Sequence, residues 1–236
     1  MKASSGVSHA LQVFPHAGGS ASALRAWFTG LDAVDVSVVE YPGHGRWLTA
    51  PPATTIDSLV AAALAQVPDL GTATISLFGH SMGSFVALET TRALSRSGHP
   101  PVHLFVSASA APGGPSDTWG LDLTDGELLT ELNRLGGTPR EYLQDVHLAG
   151  LLTRTMRSDL DLVRSYLSAP VDHIPQDITV FYGVDDAEVA VVDVERWAEL
   201  SSGTCTLVPL AGGHFYTPDS RKQLVAEIAR TLGHAR

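Results

Sequence analysis

A chain of 236 residues, 44% hydrophobic and 17% charged, is long enough for one sizeable core and has the composition of a folded globular protein, which excludes disordered and fibrous chains. Its formal charge of −10 and the lack of any basic stripe exclude a nucleic-acid surface. No apolar run approaches the roughly 20 residues that span a bilayer, Met1 to His9 carry no hydrophobic signal core, and the lone Cys205 leaves no internal disulfide. A cytoplasmic chain with no membrane association, acting as a monomer, is expected.

Leu11 to Phe14 form an apolar run that predicts a strand. Pro15-His16-Ala17-Gly18-Gly19-Ser20 then predicts a glycine-rich loop, and a helix follows from Ala21 to about Leu31. Val34 to Val39 read as a second strand stopped by the turn Tyr41-Pro42-Gly43-His44-Gly45. Thr54 and Asp57 frame a capping box ahead of Leu59, Ala62, Ala63 and Val67. Ile75 to Phe78 predict a strand, and Phe85, Val86, Leu88 and Leu94 have helical spacing up to Ser97-Gly98. Leu104 to Ala108 predict the next strand. Strand and helix in alternation imply right-handed crossovers and a parallel sheet.

The alternation breaks from Ala111 to about Asp172. Thr124-x-x-Glu127 and Thr138-Pro139-Arg140-Glu141 are two capping boxes, and Leu148, Leu151, Leu152, Met156, Leu160 and Val163 repeat at helical spacing between His147 and Tyr166. A helical block between two parallel strands is expected to lie over the carboxyl ends of the sheet as a lid, with a layer on the side of the sheet as the alternative. Ile178 to Tyr182 resume the sheet, Val191 to Leu200 are helical, and Cys205 to Val208 form the last strand, with the thiol expected to be buried. Ser220 to Leu232 close the chain as a helix. The fold class is therefore α/β: a mostly parallel sheet with helices on both faces, one domain over residues 1–236, and a helical lid insertion at about 112–172.

The stretch that carries chemistry is Gly79-His80-Ser81-Met82-Gly83, which joins a strand to a helix. In that context Gly-x-Ser-x-Gly is a nucleophile elbow, a strained turn that presents the serine hydroxyl at a helix N-terminus. A serine hydroxyl needs a base, and the base needs a group that holds its tautomer. Ser81, then an acid after a late strand, then His214 after the last strand is the α/β-hydrolase order. Gly183-Val184-Asp185-Asp186 supplies the acid, with Asp186 preferred to Asp185. The oxyanion donors expected are the backbone amides of Met82 and of Ala17, with Gly18 as second choice to Ala17. His16 is read as a loop-fixing residue. No cluster of Cys, His and carboxylates has metal-ligand spacing, so neither a metal nor another cofactor is expected.

Phe14-Pro15-His16-Ala17-Gly18-Gly19-Ser20, Tyr41-Pro42-Gly43-x-Gly45-Arg46, Gly79-His80-Ser81-Met82-Gly83, Met156-Arg157-Ser158-Asp159 and Gly212-Gly213-His214-Phe215 together resemble the stand-alone type II thioesterases of polyketide and nonribosomal peptide pathways. The resemblance runs through nearly the whole chain. It implies hydrolysis of acyl or aminoacyl thioesters from phosphopantetheine on carrier proteins, with acyl and peptidyl carrier domains as partners and phosphopantetheine belonging to the substrate. It also implies Ser81, Asp186 and His214 as the triad and Met82 and Ala17 as the oxyanion donors. His44 stands where the family usually has arginine, and Thr153-Arg154-Thr155 replaces a commoner leucine-proline pattern. Three other readings are a small-molecule serine esterase, which the triad alone permits, a non-catalytic binding protein, and a chain-releasing cyclase. The complete triad speaks against the second. The absence of a carrier-like domain before Leu11 speaks against the third.

Overall fold

The computed structural model describes residues 9–113, 122–138, 143–167 and 172–233. Six strands, β1 (His9–Phe14), β2 (Asp35–Val38), β3 (Thr74–His80), β4 (His103–Ser107), β5 (Asp177–Gly183) and β6 (Cys205–Leu210), form one sheet in the order β2-β1-β3-β4-β5-β6. All five ladders are parallel. The chain runs from β1 out to the β2 edge and returns to β3 on the other side of β1. That reversal opens a crevice at the carboxyl ends, where ligands bind in open α/β sheets.

The helices are α1 (Ala21–Arg25), α2 (Ile56–Leu64), α3 (Met82–Arg96), α4 (Asp125–Leu135), α5 (Val146–Leu167), α6 (Val191–Glu195) and α7 (Pro218–Thr231). Alternate strand residues divide between two layers, as the period of two in a pleated strand requires. Leu11 and Val13 of β1 pack with Leu24 of α1 and Leu224 and Ile228 of α7. Ala10 and Phe14 pack on the other face with Leu59 of α2, Phe85 and Leu88 of α3, and Trp197. A third apolar cluster, Leu128 and Leu132 of α4 with Met156 and Leu160 of α5, touches the second layer through Ala17, which packs against both.

Local expectations shift in four places. The first helix is α1 followed by a 3₁₀ turn at Ala26–Phe28, and Val191 to Leu200 likewise divide into α6 and a 3₁₀ segment at Arg196–Leu200. There the Trp197 indole donates to the Ser109 carbonyl at 2.9 Å, so tertiary packing sets the tighter winding. The capping box of α2 lies one residue later than its pattern predicts, at Thr55 and Ser58, because extended Thr55 brings its hydroxyl to the Ser58 amide. Thr124 and Glu127 do form the capping box of α4, whereas most of Thr138–Glu141 lies outside the described residues. Cys205 is only half-buried, not buried, because β6 is the outer strand of the sheet. Burial still raises its thiol pKa.

The elbow is packed backbone against backbone. A Cβ at Gly79 would come within 2.4 Å of Gly83 and Ser84 backbone, and one at Gly83 would sit 2.1 Å from the Phe14 carbonyl oxygen. Gly83→Ala should therefore lower stability by about 3 kcal/mol or more, or roughly 6–12 °C in Tm. Gly150→Ala, in α5 with nothing within 4 Å of the new Cβ, should raise it by about 0.5–1 kcal/mol through helix propensity. Thermal denaturation of both variants checks the contrast.

Candidate active site

Ser81 is the N-cap residue of α3, at φ 53° and ψ −123°. A β-carbon makes that backbone conformation costly, by about 1–3 kcal/mol. Its amide donates to the Ser107 carbonyl at 2.7 Å, which ties the turn to the end of β4. The other non-glycine residues with positive φ are Ala108, just past β4, and Tyr216, two residues after His214. All three described cases gather around one end of the sheet.

Asp186 follows β5, and His214 follows β6. The ring Nδ1 of His214 lies 2.9 Å from Asp186 Oδ2, with the Asp186 side chain 2% exposed and that of His214 11% exposed. An ionised carboxylate only accepts, so Nδ1 carries the proton and Nε2 is left as the basic nitrogen. The second carboxylate oxygen of Asp186 accepts the Glu188 amide at 2.9 Å, which fixes its rotation. Asp185 is exposed, and its amide donates to the Gly212 carbonyl at 3.1 Å. Of the adjacent aspartates, Asp186 is the one that meets the histidine.

Ser81, Met82, Ala17, Gly18 and His214 all line a cavity of about 380 Å³. Its far walls are apolar, built from Phe85 of α3, Leu132 of α4, and Leu152, Met156, Leu160 and Val163 of α5. The two proposed donors of the first loop are not equivalent. The Gly18 amide donates to Asp159 Oδ2 at 2.7 Å, whereas the Ala17 amide has no protein acceptor among the described residues.

Several supporting residues were not evident in the sequence patterns. Behind the elbow, His80 Nδ1 lies 2.9 Å from Ser107 Oγ, Ser107 Oγ lies 2.8 Å from the Tyr216 hydroxyl, and that hydroxyl donates to the Phe181 carbonyl at 3.1 Å. Because the chain ends on a carbonyl, each group donates toward Phe181, and the Nδ1 of His80 carries the proton. Arg134 of α4 pairs with Glu188, two residues from Asp186. Asp159 and His44 form a buried pair at 2.8 Å. The Met156-to-Asp159 motif and the unusual His44 were the only sequence signals for these contacts.

Burial, with the charges of His214 and His44 adding to it, lowers the pKa of His16 to about 3. The pKa of His80 is likewise lowered well below the ordinary value by burial, then by His214, His16 and Arg221. Both rings are therefore neutral near pH 7. The His16 carbonyl accepts the Gly19 amide at 2.9 Å, and its ring packs edge-on against Phe215 at 4.8 Å. Among the described residues, no cluster of three His, Cys, Asp or Glu is arranged to hold a metal, and no helix is long and apolar enough to cross a membrane.

Residues 9–234 match the thioesterase domain family model. The chain belongs to the thioesterase family. It is 32% identical over 225 residues to thioesterase PikA5 of Streptomyces venezuelae, an alignment covering 94% of this chain and 80% of that protein. Among solved structures, it superposes on the RedJ thioesterase from the prodiginine biosynthetic pathway of Streptomyces coelicolor with a TM-score of 0.85 and 32% identity, over 95% of this chain and 91% of the other. It superposes on the type II thioesterase BorB from the borrelidin biosynthetic cluster with a TM-score of 0.83 and 32% identity, covering 97% and 94%. The thioesterase is thus a hydrolase of the α/β class, and thioester hydrolysis is its reaction.

The paired carboxylate gives a direct test. Asp186→Asn should lower kcat of the thioesterase by about 10⁴-fold by holding the imidazole in the wrong tautomer, while Asp185→Asn should stay within about threefold. Steady-state hydrolysis of an acyl thioester by the two variants measures the difference.

Proposed function

We propose that this thioesterase removes acyl and aminoacyl groups from the phosphopantetheine arms of carrier proteins, clearing stalled polyketide or nonribosomal peptide synthases, by covalent catalysis at Ser81. The observation that carries the reading is the pairing of His214 with buried Asp186 on the wall of a cavity that Ser81 also lines. The names of RedJ, from the prodiginine biosynthetic pathway, and of BorB, a type II thioesterase from the borrelidin biosynthetic cluster, support the pathway context.

In this mechanism the basic Nε2 of His214 takes the Ser81 proton as Oγ attacks the thioester carbonyl carbon. The carbonyl electron pair moves onto oxygen, and the Met82 and Ala17 amides receive that charge. Preorganised donors of this kind are each worth about 2.7–4 kcal/mol of barrier. Collapse breaks the carbon–sulfur bond, and the phosphopantetheine sulfur leaves with the proton carried by His214. Water, deprotonated by the same nitrogen, then attacks the acyl-serine and releases the carboxylic acid, restoring Ser81. Asp186 stays ionised throughout and stabilises the imidazolium that forms twice per cycle. The apolar walls suit the acyl chain and exclude bulk water from the developing charge.

Intact-protein mass spectrometry of acylated carrier proteins tests the substrate class. The expected result is loss of acyl mass from the carriers, with Ser81→Ala at most a trace active and a fluorophosphonate probe labelling Ser81 alone. Rapid hydrolysis of small esters with carriers left intact would instead support the esterase reading.

A further inference from the structure

Asp159 lies on the stripe of α5 that also carries Leu152 and Met156, residues spaced four and three apart. This stripe rests on the loop after β1: a Cβ added to Gly18 would sit 3.2 Å from Met156 Sδ and 3.4 Å from a Leu152 methyl. Between these apolar contacts and the turn at His44, the Asp159 side chain is 2% exposed. One of its oxygens, Oδ2, accepts both the Gly18 amide at 2.7 Å and His44 Nε2 at 2.8 Å.

His44 is held at both ring nitrogens. Its Nδ1 lies 3.1 Å from the Pro42 carbonyl oxygen, which can only accept, and its Nε2 faces the carboxylate. Two acceptors require two ring protons, so the geometry is that of an imidazolium beside a carboxylate. Around this pair stand Glu40 and Tyr41 from the segment after β2, and His16 from the loop after β1. His16 is neutral, and burial holds Tyr41 in its phenol form, so Asp159 and Glu40 are the charges His44 faces. Glu40 is itself buried, accepting the Ala21 amide at 2.9 Å and the Arg46 amide at 3.3 Å. Burial pulls the His44 pKa down, but the hydrogen bond and charge of Asp159, the Pro42 carbonyl and Glu40 outweigh it, and the net shift is upward.

We propose that Asp159, held by the His44 imidazolium, is a positioning residue that sets the loop of the second oxyanion donor. The carboxylate takes the Gly18 amide, the His16 carbonyl takes the Gly19 amide, and Ala17, which lines the cavity, keeps an amide with no protein acceptor among the described residues. The helix that walls the acyl cavity therefore also aims the donor. This inference rests on the proposed covalent mechanism at Ser81.

Because the His44 pKa is raised in the folded protein, the stabilisation from the pair is complete below the ordinary value of 6.5 and is lost as pH rises through the folded value. The loop is thus held on the acid side of the raised folded value and loosens above it. Arginine at position 44 keeps the charge without titrating in that range.

The test uses the full-length enzyme with an acyl-pantetheine thioester. Asp159→Asn should lower kcat about 10- to 100-fold with KM within about threefold, below the full loss of one donor. Affinity for the trifluoromethyl ketone analogue, which forms a tetrahedral adduct with serine, should fall by the same factor, while affinity for the thioether analogue should not change. Equal losses for both analogues, or a kcat loss without loss of ketone affinity, would overturn the proposal. His44→Arg should keep activity at neutral pH and abolish the alkaline decline seen in the wild type; an unchanged decline, or none in the wild type, counts against it. If either variant does not fold, nitrogen-15 spectra of wild-type His44 below the ordinary imidazole value of 6.5 decide: a doubly protonated ring is required there, and a neutral ring refutes the pair. Failure of the underlying reading is separate, since it would appear as ketone adducts at a residue other than Ser81 or as an active Ser81→Ala enzyme.

Discussion

A serine held at φ 53° at the mouth of a helix is a conformation the chain would not adopt alone, and most of the site follows from what keeps it there. The turn survives because Gly79 and Gly83 let α3 and β3 approach each other and the end of β1 to distances that no β-carbon tolerates. The backbone hydrogen bond from Ser81 to Ser107 then locks the turn to the next strand. The strain is offset by the core of the sheet, where Phe14, Phe78, Leu77 and Val86 are fully buried. Each such side chain contributes about 1.5–3 kcal/mol on burial, so one strained residue is affordable.

Desolvation sorts the histidines around this turn. His16 and His80 lie within 6 Å of each other, ring to ring, and His80 lies 5.4 Å from His214. Three imidazolium charges at that spacing would repel strongly in a low-dielectric interior. Burial keeps His16 and His80 neutral, and the chain from His80 through Ser107 and Tyr216 fixes the His80 tautomer. His214 alone of the three has a carboxylate partner that can balance a transient charge.

The helices of the 112–172 segment reach both sides of the site through charged contacts. Arg134 of α4 grips Glu188, whose amide holds Asp186, and Asp159 of α5 grips the Gly18 amide and His44. Arg134 is half-exposed and contributes at most about 1 kcal/mol. The Asp159–His44 pair is almost fully buried, and loss of one partner from such a pair typically costs about 3–5 kcal/mol. Movement of these helices would therefore disturb the loop after β1 more than the loop after β5.

What the sequence determined by itself was local. The strand-turn-helix around Ser81, the stop of α3 at Ser97-Gly98, and the capping box of Thr124 and Glu127 all rest on sterics and hydrogen bonds between residues a few positions apart. The preference for Asp186 over Asp185 was legible as an offset from Gly183, but only the approach of the loops after β5 and β6 decides which carboxylate faces His214. The same limit applied at Cys205, whose apolar run predicts burial until the strand order leaves it at an edge, and at residues 196–200, where Trp197 reaching Ser109 tightens the helix. The sequence ranked Ala17 ahead of Gly18 without seeing the contact that separates their amides, which is Asp159 taking the Gly18 amide from 141 residues further along. Local rules set each element and its ends; which amide, carboxylate or ring each loop then meets depends on packing across the sheet, and sequence spacing carries no record of that distance.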